Sequence, residues 1–133
     1  MSVSLELSTS EWISVLDLST RWYFLKYRKL AISYLGKKLN HIFKIRSGRA
    51  CKIRAWIEDG CAGLVKQKST ISKDNAAQIG VDTALALFRI REEYIKKNSV
   101  NGVMELIREA LKDELNLVDF AEAKYWTDEV CGL

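Results

Sequence analysis

Apolar residues recur along the chain at intervals of three and four, and no stretch sustains a period of two, so the pattern predicts helices throughout. The first is LSTSEWISVLDLS, where Ser8 and Glu11 stand at capping-box spacing and Trp12, Val15, Leu16 and Ser19 follow on one side. The second, RWYFLKYRKLAISYLGKK, spreads its aromatic and aliphatic residues over more than half of a helical wheel. Lys26, Lys29, Ser33 and Lys37 remain as a wet stripe. So wide a face predicts a central helix covered on two sides, with Arg28 turned into it and requiring a carboxylate if covered.

Asn40 can cap a third helix, HIFKIRSGRACK, which is the most basic and is weakened by Gly48. In a fourth, IRAWIEDGCAGLVKQ, one face carries Ile53, Trp56, Ile57, Cys61 and Leu64. Helices one–two and three–four read as tandem hairpins, a weak repeat at roughly 27 residues. A short helix, ISKDNAAQIG, is capped by Ser72 and stopped by Gly80. The long VDTALALFRIREEYIKKN follows, apolar on a wide face of Val81, Ala84, Leu85, Phe88 and Ile95 with Leu87, Ile90 and Tyr94 alongside, and with lysines at its C-terminal end. NSVNG is the one flexible break, and it sets the expected boundary between a helical domain, 1–98, and a C-terminal helical hairpin, 99–133. There VMELIREALKDEL aligns Val103, Leu106, Ile107, Ala110 and Leu111, a candidate interface for the domain or a partner chain, and Leu117, Ala121 and Tyr125 continue beyond it. The expected fold is all-α, a compact bundle of seven or eight short helices. Trp22, Leu25, Leu30, Ile32, Leu35, Trp56, Leu64, Leu85 and Phe88 are its expected core.

Composition sharpens this. At 133 residues the chain can bury a real core, and the absence of proline suits closely spaced helices. No apolar run is long enough to span a bilayer, so no membrane is expected. Three widely spaced cysteines outside any CxxC pair read as reduced thiols of a cytoplasmic or nuclear protein. Charge is uneven: residues 1–70 carry 13 Lys/Arg against 5 Asp/Glu, whereas 71–133 carry 8 against 12. Between Leu18 and Ile57 there are 11 bases and no acid. Such asymmetry predicts an anionic partner, or one half of the chain answering the other.

EWISVLDLSTRWYFLKYRKLAISYL, CKIRAWIEDGCAGLV and ISKDNAAQIGVDTALALFRIREE occur in an order that resembles the helical, BACK-like region following the BTB/POZ fold in BTB-domain proteins of mushroom-forming fungi. The matching features are Glu11-Trp12, the Leu18–Trp22 stretch, Arg28 to Ile32, Trp56 with Leu64, and Gly80 to Arg91. The resemblance covers about residues 7–94 and rests on packing positions. It implies an adaptor or scaffold role. The BTB fold, which would supply most cullin contacts, has no counterpart in the chain, so a cullin-type ligase is not the expected partner.

Catalysis finds little footing. His41 is the sole histidine and sits at a helix start, and no nucleophile–base, metal-ligand or phosphate-loop motif is present. No catalytic residue, metal or cofactor is expected, and the chain reads as a non-enzyme. Cys51 and Cys61 lie in a basic neighbourhood that could activate a thiol, although burial is the commoner fate of such residues. Lys37, Lys38, Lys44, Arg46, Arg49, Lys52 and Arg54 form the candidate polyanion- or partner-binding cluster, segment 37–54. The leading expectation is a protein-interaction module with a protein partner or a second copy; the alternative is a small nucleic-acid-binding protein. Pairing of the basic hairpins with the acidic C-terminal helices is the expected reason for the charge asymmetry.

Overall fold

Helix-forming residues, capped by short polar side chains and interrupted by few glycines, dominate the architecture. The computed structural model describes residues 6–97 and 102–131 and, within them, every side chain except those of 97 and 126–131. Among the described residues there are eight helices and no strand: α1 (Thr9–Trp22), α2 (Leu25–Leu35), α3 (His41–Cys51), α4 (Arg54–Lys66), α5 (Lys73–Ile79), α6 (Val81–Lys97), α7 (Val103–Ala110) and α8 (Lys112–Cys131). The fold is all-α. By packing the chain divides into two units, Met1–Leu39 with Lys124–Leu133, and Asn40–Ala123. The break expected at 98–102 lies outside the described residues except for Gly102.

In the first unit α1 and α2 pair as a hairpin. The Ser8 hydroxyl accepts from the Glu11 N–H at 3.2 Å and the Glu11 carboxylate accepts from the Ser8 N–H at 3.0 Å, closing the capping box. α1 then runs further than the pattern suggested, to Trp22. Tyr23 ends it in the left-handed region (φ 59°), with its N–H on the Ser19 carbonyl. This break overturns the wide buried face expected of the second helix. A wheel drawn continuously from Trp22 crosses a change of direction and so misplaces Trp22, and within α2 a single packed side leaves the rest of the arc in solvent. Trp22 is 63% exposed, and Tyr23, Phe24, Tyr27 and Leu30 are exposed too; Leu25 and Ile32 are half-buried. Only Arg28, Ala31 and Leu35 of α2 are buried.

The second unit holds the larger core, drawn from Ile42 and Ile45 of α3, Ile57, Cys61, Leu64 and Val65 of α4, and contributions from α5 to α8. Its central helix is α4, packed by α3, α6 and α7 and buried at Trp56, Ile57, Glu58, Cys61, Ala62, Leu64 and Val65. Glycine makes this possible. A Cβ at Gly60 would stand 2.6 Å from the His41 carbonyl oxygen, and one at Gly48 would stand 2.9 Å from that of Ile53. Gly48, expected to weaken α3, is thus a point of close backbone approach.

α4 has no side-chain cap of its own at Ile53; instead the Glu122 carboxylate of α8 accepts from the Arg54 N–H at 3.2 Å. At the other end Arg91 of α6, itself buried, donates to the carbonyls of Leu64 (2.9 Å), Gln67 (2.8 Å) and Lys68 (3.1 Å). An anion at the N-terminus and a cation at the C-terminus both suit the helix dipole.

Two more expectations need correction. Leu85 and Phe88 are not core: α6 turns Ala84, Leu87 and Ile90 inward and leaves Leu85 51% and Phe88 37% exposed. The helix carries more apolar residues than one packed side can cover. The C-terminal region is not a single helical run before its last segment, because Leu111 interrupts it between α7 and α8. The buried series then becomes Val103, Ile107, Leu111, Leu115 and Val118, and Leu117 is thrown out to 73% exposure.

Candidate functional site

The seven bases of the candidate cluster are divided between the two units. Lys37 and Lys38 belong to the first unit, and Lys44, Arg46, Arg49, Lys52 and Arg54 to the second. In the second unit, the two arginines closest to the acidic helix are committed internally. Arg49 Nε lies 2.6 Å from Glu114, while its other nitrogens donate to the Ile79 carbonyl and to the Thr83 hydroxyl. Arg54 reaches Glu58 at 3.1 Å and Asp119 at 3.2 Å. Glu58 is buried and accepts from Arg108 as well, at 2.9 Å, and this hydrogen bond raises the Arg108 pKa. Arg46 donates to Gln78 at 3.4 Å. Part of the basic excess therefore answers acids of α4 and α8. Lys52 is exposed in a left-handed turn, and Lys44 is half-buried.

The C-terminal candidates divide in the same way. Val103, Ile107 and Leu111 face the core of their own unit, whereas Leu106 and Ala110 are exposed. That face packs within the chain.

The first unit presents a different surface. Leu18, Trp22, Phe24, Tyr27 and Leu30 are each at least 45% exposed, with Lys26 and Lys37 exposed nearby in sequence. Other aromatics of this unit are held in place. Tyr23 stacks on Tyr125 with centroids 5.0 Å apart, the Arg28 guanidinium lies 3.9 Å from the centre of the Tyr125 ring, and the Tyr125 hydroxyl donates to the Thr20 carbonyl. Buried Arg28 also donates to the Thr20 hydroxyl at 2.7 Å. Trp12 stacks on Tyr34 at 5.2 Å, with the Lys38 ammonium 5.7 Å from that ring. Stacking and cation–π contact fix the hairpin's frame. The remaining aromatics stay open to solvent.

Comparison of the chain with family models, curated proteins and solved structures finds no match.

His41 begins α3, exposed, and its ring lies where a Cβ on Gly63 would fall. Cys51 and Cys61 are buried free thiols, and burial pushes the Cys61 thiol up to about 12, which makes it a poor nucleophile. Among the described residues there is no group of three or more potential metal ligands, and no helix is long and apolar enough to cross a membrane. An open groove of about 500 Å³ lies between α6 and the α7–α8 junction, lined by Asp82, Thr83, Glu109, Lys112, Asp113 and Glu114 among others. Its acids would repel a phosphate.

The open aromatics were missed because they were assigned to a core. One signal was available. Trp22, Tyr23 and Phe24 are consecutive, and three consecutive helical residues fan over about 200°, so they cannot share one buried side.

Proposed function

We propose that the chain is a non-enzymatic protein-interaction module of the adaptor or scaffold kind, similar to the helical region that follows the BTB fold. The observation that carries this reading is the set of large apolar side chains that the α1–α2 hairpin leaves exposed, Leu18, Trp22, Phe24, Tyr27 and Leu30. Monomeric proteins seldom leave so many large apolar side chains of one hairpin in solvent without a use, and tryptophan and tyrosine are the residues that anchor protein interfaces. The acid-free stretch from Leu18 to Ile57 favours a partner with an acidic rim. The absence of any catalytic grouping in the sequence motifs points away from an enzyme.

A second reading, nucleic-acid binding, draws on the same exposed aromatics, because unpaired bases stack on such rings beside lysines. The arginines of segment 37–54 give it less support, since Arg49 and Arg54 are already neutralised.

A photo-crosslinking residue in place of Tyr27, with another in place of exposed Lys66 as control, tests the first reading in an extract of the source cells. The reading expects one protein captured in stoichiometric amount from position 27, lost on adding Trp22→Asp, and no retardation of single-stranded DNA or RNA at ~50 mM salt. Identical capture from both positions, or a salt-sensitive retardation abolished by Trp22→Asp, would overturn it.

A further inference from the structure

We infer that the α1–α2 hairpin seats a third helix supplied by a partner protein, one that carries acidic side chains beside a narrow apolar row. The inference rests on the reading of this hairpin as a docking surface and adds the chemistry of what docks.

The contacts between the two helices fix an antiparallel register. Trp12 stacks on Tyr34, and the Arg28 guanidinium donates to the Thr20 hydroxyl. In that register Leu18 stands across from Leu30, Trp22 across from Tyr27 and Val15 across from Tyr34. The helical wheel places all six on one side. On α1, Val15, Leu18 and Trp22 recur at three and four residues, about 110° back from the centre of the buried Trp12, Leu16, Ser19 and Thr20. On α2, Tyr27, Leu30 and Tyr34 recur at three and four residues, about 100° back from the buried Arg28, Ala31 and Leu35. Antiparallel neighbours are related by a local two-fold axis, and rotation about it preserves hand. Similar turns in the same sense therefore bring both rows to the same side of the hairpin. There Leu18, Trp22, Tyr27, Leu30 and Tyr34 are exposed and Val15 is half-buried.

Each row spans seven residue steps, about 10 Å or two helical turns. Three-and-four spacing on both walls is what receives the side chains of a further helix whose own apolar row repeats in the same way. A helix with an apolar stripe is stable only when that stripe is covered by another element.

Charge selects the kind of helix. From Leu18 through α2 and the turn after it there is no acid. Lys26 adjoins Leu30 one turn away, and the Lys38 ammonium lies 5.7 Å from the centre of the Tyr34 ring. Of the acids of α1, Asp17 is bound to Arg21 and stands on the other side of the wheel, and Glu11 is held in its capping box at the start of the row. The edge of this face along α2 is therefore cationic, and glutamate or aspartate beside the incoming apolar row answers it. Single-stranded nucleic acid would also bring negative charge, but it fits the rows less well. Tyr34 already stacks on Trp12, and Val15, Leu18 and Leu30 offer no ring to a base.

Two labelled helical peptides of about 18 residues, titrated with the full chain and read by fluorescence anisotropy, test this. Both carry leucine at three-and-four spacing; one has glutamate at the flanking positions and the other lysine. The glutamate peptide should bind at least about tenfold more tightly, and the difference should shrink in high salt. Lys26→Glu combined with Lys38→Glu should reverse the preference. Leu18→Gln and Leu30→Gln, uncharged changes at exposed positions, should each weaken binding of the glutamate peptide more than about tenfold with helix content unchanged. Failure of both peptides to bind, equal binding of the two, or tighter binding of a labelled oligothymidine would overturn the inference. Capture of a protein from position 27 beside peptides that bind alike would remove the acidic helix and leave the docking reading standing.

Discussion

The two hairpins α1–α2 and α3–α4 are built from similar amounts of apolar residue and use them oppositely. In α3–α4 small residues let the helices close: Gly48 and Gly60 bring backbone against backbone, and Ile45, Ile57, Cys61 and Leu64 vanish from solvent. In α1–α2 the apolar content is bulky and aromatic, and the chain turns through Tyr23 between the helices. Part of it is organised by ring stacking, as with Trp12 on Tyr34, and the rest remains outside. Hydrophobic content by itself does not decide burial. Small residues at the contact decide how much of it can be covered.

The sharpest way to break the comparison is truncation. Ile57→Ala removes a fully buried side chain beneath α3 and should cost about 2–5 kcal/mol, whereas Trp22→Ala, although larger, should stay within about 0.5 kcal/mol of the parent. Urea denaturation midpoints read both. A comparable loss at Trp22 would place it in a core after all.

Next is the central helix's borrowed caps. Arg91→Ala leaves the carbonyls of Leu64, Gln67 and Lys68 without their donor and should cost about 1.5–3 kcal/mol. Arg91→Lys should recover only part of this, since one ammonium cannot span three carbonyls as a planar fork does. The two variants' thermal midpoints, taken side by side, check the order.

Glycines come third. Gly60→Ala sets a methyl against the His41 carbonyl and the Ile45 side chain, and should lower stability by about 1–3 kcal/mol. Gly63→Ala meets only the exposed His41 ring, which can swing aside, so its cost should stay below about 1 kcal/mol. Equal losses would mean that the ring is held as firmly as the backbone.

These contrasts also show what could be read from the chain and why. Local devices were legible: the Ser8–Glu11 box, the Asn40 and Ser72 caps, and the stop at Gly80 all depend on neighbours in sequence. So was the inward face of α4, where Trp56, Ile57, Cys61 and Leu64 are all buried, as is Ile53 at the helix's N-cap. Phase across a break was not legible. Tyr23 and Leu111 each interrupt a pattern that looks continuous, so Trp22 cannot be phased with α2, nor Leu117 with α7. Long-range partners were not legible either. That acids would answer the basic segment followed from the charge asymmetry, but only the fold brings Glu114 to Arg49 and Glu122 to the end of α4. The commitment of Arg49 and Arg54 was hidden for the same reason: the sequence counts charges, and the fold decides which are already paired.

The smallest effect is at the start of α1. The Ser8 N–H and then the Ser8 hydroxyl hold the Glu11 carboxyl below its ordinary pKa. A lowered folded-state pKa means that the ionised cap stabilises above the unfolded-state value and that this contribution is lost as pH falls through the folded-state value. Glu11→Gln keeps the acceptor and removes the charge. The gap in thermal midpoint between parent and variant should therefore be small at neutral pH and narrow as pH falls below the ordinary carboxylate value of about 4.3. A gap that widens towards acid would reverse the sign of the argument.

Hydroxyl-radical footprinting of the intact chain, read residue by residue in a mass spectrometer, bears most directly on the contrast between the hairpins. Trp22, Phe24 and Tyr27 should be oxidised rapidly and Trp56 and Trp12 should be protected, following their exposure. Trp22 and Tyr27 protected to the same degree as Trp56 would mean that the face is already covered within the chain, and the case for a docking surface there would be lost.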